Sequence, residues 1–317
     1  MSELWAITGA SGYVGRALCD ELRRAGIAFR GLSRSGGAES IAIDVRDADA
    51  LRPFVRGADV VIHLAAYVHH AARGVDAEEE CRSVNVGGTR ALIGALASEN
   101  PAAFVIVISS ASVYGPSETS MDETSPCKPR TVYGRSKLEA DKLFLAAVAA
   151  GAVCGCVVRP SMIFGPGAPG NLHRLLRMVQ TGFAIEIAGG SQRKSILPVG
   201  DFIAAIRAIA SHRGACNGQV FNVSGEALTI HAILMSIATA HRKTIRIVRL
   251  PRGPMRAGAG IADFLLQRFT TRVPSLSALV ETYTTSSVLD DSKLRRMTGY
   301  APPRAVREAL LDLETAR

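Results

Sequence analysis

The chain has 317 residues, more than one compact domain usually contains, so one large domain or two lobes is expected. Apolar residues make up 48% of the sequence and charged residues 21%, which is typical of globular proteins and excludes an intrinsically disordered chain. The net charge of +9 admits an anionic partner: nucleic acid, a membrane surface or a phosphorylated ligand.

Most of the excess positive charge lies near the C-terminus. Residues 241–317 carry 14 Lys and Arg against 7 Asp and Glu, whereas the first 240 residues carry 23 against 21. This segment has no zinc-finger, RNA-binding aromatic or zipper pattern, so no nucleic-acid partner is expected. Arg246, Arg249, Arg252 and Arg256 precede an apolar stretch at residues 257–266, which admits a peripheral membrane contact. A solvated rim around a substrate cleft is the simpler interpretation.

The cysteines and apolar runs exclude other classes of protein. The six cysteines include no C-x-x-C pair, so neither a metal site nor a disulfide framework is expected. The longest apolar run, residues 143–158, is 16 residues long and falls short of the roughly 18 that a membrane-spanning helix needs. With no signal peptide at its start, the chain is expected to be cytoplasmic, without a transmembrane segment.

Strands and helices alternate through the first half of the sequence. Apolar runs predict strands at residues 4–8, 27–33, 40–44, 59–64, 104–109 and 156–159. Helical spacing predicts helices at residues 13–25, 78–99 and 132–150. This alternation predicts an α/β fold with a Rossmann-like, doubly wound parallel sheet.

The pattern changes after Pro160. It predicts a helix at residues 171–181, a strand at 184–187, a basic loop at 192–194, a helix at 201–211 and a strand at 220–223. We expect a dinucleotide-binding domain of residues 1–160 plus about 195–224. Residues 161–194 and 225–317 are expected to form a smaller C-terminal α/β lobe for the substrate.

A glycine-rich turn follows the first predicted strand. Residues 8–15 read TGASGYVG and lead directly into a helix. The glycines permit a tight turn and a close approach to a pyrophosphate, which the free N–H groups of the helix N-terminus would bind. The alternative is a tight turn without a ligand, but the strand before it and the helix after it favour a cofactor. The expected cofactor contacts are Gly9, Ser11, Gly12, Tyr13, Val14 and Gly15.

The end of the second strand indicates which dinucleotide binds. An acid there would bind the ribose 2′-hydroxyl of NAD, whereas an arginine would suit the 2′-phosphate of NADP. This chain has Ser33 and Arg34, and Asp44 comes ten residues later, where it would face the adenine side. The sequence therefore predicts NADP(H), with NAD(H) as the alternative. A solvated loop arginine is the rival interpretation of Arg34.

Tyr133 and Lys137 form the candidate catalytic pair. Their spacing of four places them on one face of a helix. A free tyrosine titrates near 10, and a nearby lysine cation favours the phenolate and lowers that pKa. Ser109, Ser110 and Ser112 follow an apolar strand, at the sheet edge where ligands bind. A hydroxyl there can hydrogen-bond a substrate oxygen while Tyr133 moves a proton.

Taken together, these motifs resemble the extended short-chain dehydrogenase/reductases, in the group of nucleotide-sugar epimerases, dehydratases and reductases. The likeness covers nearly the whole chain. It rests on TGASGYVG, HLAA at residues 63–66, NVGGT at 85–89, SSASVYG at 109–115, YGRSK at 133–137, RPSMIFGPG at 159–167, FNVSG at 221–225 and LDDSKLRRMTGYAPP at 289–303.

The resemblance implies a role for each matching residue. Tyr133 is the acid/base, Lys137 holds the nicotinamide ribose, and Ser110 is the partner of the substrate oxygen. The further cofactor contacts that it implies are Val45, Leu64, Ala65, Ala66, Asn85 and Pro160. The implied substrate contacts are Ser110, Ser112 and Tyr133, with Asn171 and Arg193 for a nucleotide diphosphate. His63, at the end of a buried strand, is expected to be a core residue. A homodimer through the helices at residues 78–99 and 132–150 is also implied.

Four residues bear on the reaction. The Asp-Glu pair of the family's 4,6-dehydratases is replaced by Ala111 and Ser112, which cannot act as acid or base near neutral pH, so dehydration is excluded. Met162, where 4-epimerases often have Asn, and the expected NADP at Arg34 favour a reductase. One departure bears equally on both reactions: no Arg lies about a dozen residues before Lys293, where epimerases often bind the diphosphate, so Arg193 or another C-terminal Arg is expected to supply that contact.

The sequence is similar to reductases of UDP-4-keto-6-deoxy-N-acetylhexosamines in O-antigen biosynthesis. The expected reaction is hydride transfer between NADPH and C4 of a UDP-linked sugar. An NAD-dependent UDP-hexose or UDP-N-acetylhexosamine 4-epimerase is the alternative, and a non-catalytic NADP-sensing regulator is less favoured because Ser110, Tyr133 and Lys137 are all present. A reductase of a steroid or flavonoid carbonyl is a further alternative. No metal is expected.

Overall fold

The computed structural model describes residues 3–37, 39–68, 75–169, 171–251 and 283–311, and the single residues 253, 258, 260, 280 and 313. The strands in these residues are β1 (Leu4–Thr8), β2 (Ala28–Ser33), β3 (Ser40–Ala42), β4 (Val60–His63), β5 (Phe104–Ile108), β6 (Ser120–Met121), β7 (Cys154–Pro160), β8 (Met162–Phe164), β9 (Phe183–Ile187), β10 (Arg193–Pro198), β11 (Val220–Val223), β12 (Ala227–Thr229), β13 (Arg246–Leu250) and β14 (Val288–Leu289). The α-helices are α1 (Tyr13–Arg24), α2 (Ala48–Val55), α3 (Val75–Arg82), α4 (Gly88–Glu99), α5 (Val132–Ala149), α6 (Asn171–Thr181), α7 (Val199–Ser211), α8 (Arg213–Cys216), α9 (Ile230–Ala240), α10 (Ser292–Thr298) and α11 (Val306–Leu311).

Seven parallel strands form the main sheet, in the order β11-β7-β5-β4-β1-β2-β3. The α/β prediction is confirmed, and so is the Rossmann-like topology. Every residue of β4 and β5 is buried, because helices cover both faces of a parallel sheet. Side chains alternate between the two faces: Ile7 packs with α1 and α7, and the neighbouring Ala6 packs on the side of α2, α4 and α5.

The helix predicted at residues 78–99 is interrupted. A single π-helical turn, Ser83–Gly87, separates α3 from α4. The turn carries Asn85 inward, where its side chain bonds the backbone of Tyr67 after β4. Such π turns often lie at functional sites. Helix α2 has no counterpart among the predicted elements; Asp47 caps it by accepting a hydrogen bond from Ala50 N.

Apart from β11, which joins the main sheet, the strands after Pro160 form smaller sheets, most of them around a second core. β10 pairs with β12 and β8, β13 pairs with β9, and β14 pairs with β6. The predicted basic loop at residues 192–194 is wrong, because Arg193 and Lys194 begin strand β10. The error has a physical cause: Lys194 is buried, so a charged residue occupies the position where the strand pattern requires an apolar one. Among the described helices, none combines the length and apolar character that crossing a bilayer requires.

Candidate functional site

The predicted site residues gather at one edge of the main sheet. Gly9 follows β1, Arg34 follows β2, Ala65 follows β4 and Ser110 follows β5, while Pro160 ends β7. All these strands are parallel, so their carboxyl ends share an edge. Ligands of open α/β sheets bind at this edge.

The glycine turn fits a dinucleotide. Gly9 has a φ of +74°, and a Cβ atom there would lie 2.8 Å from the backbone nitrogen of Ala65. A Cβ atom on Gly15 would lie 2.7 Å from Ala10 O, so only glycine lets α1 start this close to β1. Gly12 is the N-cap residue of α1, and among the described residues no side chain caps this end of the helix. Ser11 and Gly12 are exposed. The first N–H groups of α1 can therefore bind a pyrophosphate.

The two residues predicted for a 2′-phosphate differ in their surroundings. Ser33 is buried, and its hydroxyl donates to Gly36 O at 3.2 Å and bonds Ser40 Oγ at 2.9 Å, within its own turn. Arg34 is exposed. The pKa of Asp44 is lowered chiefly by its hydrogen bond from Arg46 and, to a smaller extent, by the positive charge of Arg34. Arg34 therefore lies beside Asp44 and, unlike Ser33, presents its side chain to the surface.

Ser110 and Tyr133 meet where α5 abuts the turn after β5. Ser110 caps a short 3₁₀ turn: its hydroxyl accepts from Ser112 N and donates to Ser112 Oγ, both at 3.1 Å. A Cβ atom on Gly134 would lie 2.6 Å from Ser112 O, so α5 starts this close only because residue 134 is glycine. The Ser110 hydroxyl lies close enough to Tyr133 to lower the pKa of the phenol.

Burial dominates the ionisation of Tyr133. It raises the pKa of Tyr133 to about 12, and the nearby Ser110 hydroxyl opposes that shift. The sequence-based expectation of a lowered pKa is wrong in this geometry, because the loss of hydration outweighs the effect of Ser110, and the charges of Cys81 and Asp141 add to the rise. The phenol is therefore neutral at physiological pH and can donate its proton.

A network of buried charges lies behind the catalytic pair. Burial lowers the pKa of Lys137 to about 8, and the charge of Asp141 opposes that shift. Asp141 Oδ2 accepts from Arg159 Nε at 3.1 Å, and Arg159 Nη1 donates to the Tyr114 hydroxyl at 3.0 Å. Asp141 was not identified from the sequence, although its spacing of four from Lys137 and eight from Tyr133 is the signal that could have found it.

Asn85 links the loop after β4 to the catalytic helix. Its Oδ1 accepts from Tyr67 N at 2.7 Å, and its Nδ2 donates to Ser136 Oγ at 2.8 Å. Ser136 Oγ in turn donates to Tyr133 O at 2.9 Å. Asn85 thus fixes the position of the backbone that carries Tyr133.

His63 joins Asn85 to the glycine turn through buried hydrogen bonds. Thr89 donates its single hydroxyl proton to Asn85 O, so His63 Nε2 must be the donor to Thr89 Oγ1, at 3.2 Å. His63 Nδ1 then accepts from Thr8 Oγ1 at 2.8 Å, and Thr8 Oγ1 accepts from Ala65 N at 3.1 Å. Burial lowers the pKa of His63 to about 3, so it is a neutral core residue, as expected.

The substrate contacts after Pro160 are placed unevenly. Asn171 starts α6, but its side chain lies outside the part of the structure that is described. Arg193 is exposed and donates to Ala227 O at 3.3 Å. The next residue, Lys194, is buried; burial lowers its pKa to about 8 and the charge of Glu118 opposes that shift. Neighbouring residues of a strand point to opposite faces, so Arg193 and Lys194 lie in different surroundings.

Some other sequence-based expectations concern residues beyond the described ranges. His69 and His70, Arg252 and Arg256, and all but residues 258 and 260 of the apolar stretch at 257–266 lie there. All six cysteines are described and are free. Among the described residues, no three His, Cys, Asp or Glu side chains converge as metal ligands would.

Comparison with known proteins places this geometry in a family. The profile of the NAD dependent epimerase/dehydratase family matches residues 5–224. The chain is 27% identical to the N-acetyl-alpha-D-glucosaminyl-diphospho-ditrans,octacis-undecaprenol 4-epimerase of Escherichia coli O157:H7, over 98% of this chain and 94% of that protein. It is also 27% identical to the dTDP-6-deoxy-L-talose 4-dehydrogenase (NAD(P)(+)) of Kitasatospora kifunensis, over 98% of this chain and 95% of that protein.

A solved structure confirms the fold. MoeE5 in complex with UDP-glucose and NAD superimposes with a TM-score of 0.75 at 23% identity, covering 98% of this chain and 96% of that one. The family profile spans more than half of the sequence and includes the glycine turn, Ser110, Tyr133 and Lys137. The chain therefore belongs to the NAD dependent epimerase/dehydratase family, and it is an NAD(P)-dependent enzyme of the extended short-chain dehydrogenase/reductase type.

Proposed function

We propose that the protein reduces the C4 carbonyl of a UDP-linked 4-keto-6-deoxy sugar with NADPH, or catalyses the reverse oxidation, in surface-polysaccharide synthesis. The observation that carries this proposal is the close approach of α5 to the turn after β5, which places the Tyr133 phenol beside Ser110 at the strand edge. Two hydroxyl groups can polarise a carbonyl and protonate the alkoxide that forms. The turn after Ser110 offers only Ala111 and Ser112, so elimination of water has no acid or base there.

The proposed mechanism assigns one task to each side chain. Ser110 and Tyr133 hydrogen-bond the substrate oxygen and so stabilise the negative charge that develops on it. NADPH supplies the hydride when it is bound. Tyr133 gives its proton to the new alkoxide, which yields the alcohol and leaves a phenolate that regains a proton from water. Lys137, in its ammonium form, holds the nicotinamide ribose and stabilises that phenolate.

We further propose NADP(H) as the preferred cofactor, with Arg34 as the contact for its 2′-phosphate. Arg34 is exposed at the end of β2, whereas the Ser33 hydroxyl is already bonded within its turn. In Arg34→Ala, the Kd for NADPH should rise about tenfold while the Kd for NADH is unchanged, since only NADPH carries the phosphate. Arg52→Ala, an exposed arginine of α2, is the control. A wild-type protein that prefers NAD by more than tenfold would overturn this assignment.

The substrate diphosphate is proposed to contact Lys194. This buried cation has Glu118 as a neighbouring charge, whereas Arg193 is exposed and already bonded to the backbone of β12. Asn171 remains a proposed contact. We also propose a homodimer through α4 and α5.

A second candidate function is 4-epimerisation. The relative from Escherichia coli O157:H7 is named as a 4-epimerase of a diphospho-undecaprenol-linked N-acetylglucosaminyl group. Its alignment covers 98% of this chain. A sugar on an undecaprenyl diphosphate presents the same diphosphate as a UDP-sugar, so Lys194 suits either. An epimerase retains its dinucleotide between turnovers, whereas a reductase exchanges it.

The critical experiment compares Tyr133→Phe with Tyr300→Phe. The substrate is a UDP-4-keto-6-deoxy-N-acetylhexosamine, and NADPH oxidation is followed. Tyr133→Phe should lower kcat by about 10² to 10⁴, because the proton donor is lost. Tyr300→Phe removes a buried hydroxyl that bonds Asp201 O, outside the site, and should keep wild-type activity. Near-normal turnover by Tyr133→Phe would refute the assignment of the acid.

The same preparations separate the two reactions. Conversion of UDP-N-acetylglucosamine to UDP-N-acetylgalactosamine without added cofactor, with NAD⁺ retained through purification, would select the epimerase. A lipid-diphosphate-linked N-acetylglucosamine, tested in the same way, would decide between the two carriers.

A further inference from the structure

The small sheet of β9 and β13 exposes apolar side chains on its outer face. Phe183, Ile185 and Val248 are 56%, 44% and 47% exposed. The strands are parallel, with Arg246 opposite Phe183 and Val248 opposite Ile185, so these four side chains share one face. Exposed large apolar residues are ordinary when they are scattered singly, but three adjacent ones on one face mark an interaction surface. We call these four residues the outer face.

Cations lie within and beside the outer face. Arg246 belongs to the face itself, and Arg242 and Lys243 are exposed just before β13. Glu186 in β9 is turned to the opposite, buried face, where its carboxylate bonds His231 and Arg249. In the sequence, residues 227–262 contain six Lys and Arg and no Asp or Glu.

We propose that the outer face docks the protein on the anionic surface of a lipid bilayer. Aromatic and aliphatic side chains can enter the headgroup region, while Lys and Arg beside them pair with anionic lipid phosphates. A second copy of the chain fits this face less well, because a two-fold contact would pair the face with itself and bring its excess of positive charge against the same excess on the partner. The outer face is separate from the catalytic residues, so docking can be tested without any substrate.

Sedimentation with vesicles tests the proposal on the full chain. Vesicles of phosphatidylcholine alone are compared with vesicles that also contain phosphatidylglycerol, at low and at high salt. The protein should sediment with the anionic vesicles at low salt and be released at high salt, because screening weakens surface charge attraction. Lys243→Glu combined with Arg246→Glu should weaken binding about tenfold or more, and Ile185→Ser should also weaken it.

Two matched variants control for charge and for apolar area. Arg24→Glu combined with Arg52→Glu makes the same change in net charge on α1 and α2, and Ile41→Ser removes an isoleucine that is 57% exposed in β3. Both should bind anionic vesicles within about twofold of wild type, since neither touches the outer face. Unfolding midpoints of all variants are measured alongside, so that loss of fold is not mistaken for loss of docking.

Three results would overturn the proposal. The first is equal sedimentation with both kinds of vesicle, or with neither. The second is wild-type binding by the Lys243/Arg246 variant. The third is self-association, measured by light scattering, that Ile185→Ser abolishes in a protein that binds no vesicles, because the outer face would then belong to a dimer.

Discussion

Tyr133, Lys137 and Asp141 occupy successive turns on one face of α5 and place three ionisable groups in buried surroundings. Each of the three side chains responds differently, in its ionisation, to the loss of hydration. Tyr133 stays neutral, Lys137 has a pKa near neutrality, and Asp141 is paired with Arg159. The charge of Asp141 keeps Lys137 protonated at neutral pH, although the two were joined by no motif in the sequence.

Asp141→Asn should therefore move the pH profile of the enzyme. The folded pKa of Lys137 is about 8, and the negative charge of Asp141 raises it against burial. Without that charge the pKa falls further, so the ammonium form is lost at a lower pH. Since the ammonium is the active form in the proposed mechanism, the alkaline limb of kcat should shift to lower pH. Asparagine keeps an oxygen that can accept from Arg159.

The control for Asp141→Asn lies on the same helix. Glu139→Gln removes an exposed carboxylate that pairs with Arg82 at the surface. Its alkaline limb should coincide with that of the wild type. If Asp141→Asn lowers kcat equally at every pH and does not shift the alkaline limb of the pH profile, Asp141 contributes only to the packing of α5. Its proposed influence on the pKa of Lys137 is then refuted.

Local motifs predicted the central residues of the candidate site from the sequence, whereas the buried charged pairs were missed. Ser110, Tyr133 and Lys137 were found because each depends only on the strand or helix that carries it. Arg159 and Lys194 act through contacts with residues far away in the chain, Asp141 and Glu118 respectively. Such pairs leave no periodic signal, so spacing alone could not predict them.

At the scale of elements, burial explains which predictions succeeded. The strands β4 and β5 are buried throughout and read as continuous apolar runs, so the sequence places them within about one residue at each end. The break between α3 and α4 was missed, because residues 78–99 keep helical composition across the π turn. The side-chain bonds of Asn85 to Tyr67 and Ser136 favour that turn, and both partners lie outside it.

The contact between α5 and the turn after β5 can be tested at Gly134. Alanine is the better helix former, but its Cβ atom would lie 2.6 Å from Ser112 O. Gly134→Ala should therefore push Tyr133 away from Ser110, with a fall in kcat and a lower unfolding midpoint. Gly94, exposed within α4, has nothing within 4 Å of a Cβ atom, so Gly94→Ala should stabilise the protein by about 0.5–1 kcal/mol. Equal effects at the two sites would contradict the close approach.

At the scale of the whole molecule, the boundary proposed between the cofactor-binding and substrate-binding parts runs through one small sheet. β8 and β12 flank β10, and the proposed boundary near residue 195 falls within β10. The two parts therefore share backbone hydrogen bonds, although each has its own buried core. Binding in one part can be sensed in the other through this sheet, but direct contact with each ligand should remain local.

Hydrogen exchange with separate ligands should resolve the two parts. NADP⁺ alone should slow amide exchange at residues 9–16, 33–37 and 64–68, which surround the proposed cofactor site. UDP alone should slow exchange at residues 171–182 and 192–195, because the diphosphate is proposed to lie against α6 and Lys194. Bound ligand adds free energy to every opening that releases it, about 2.7 kcal/mol at 100 times its Kd. Lys194→Ala should lose the protection by UDP and keep that by NADP⁺. If UDP instead protects the glycine turn and neither α6 nor β10, the substrate binds in the part proposed for the cofactor, and the proposed division into two ligand-binding parts is refuted.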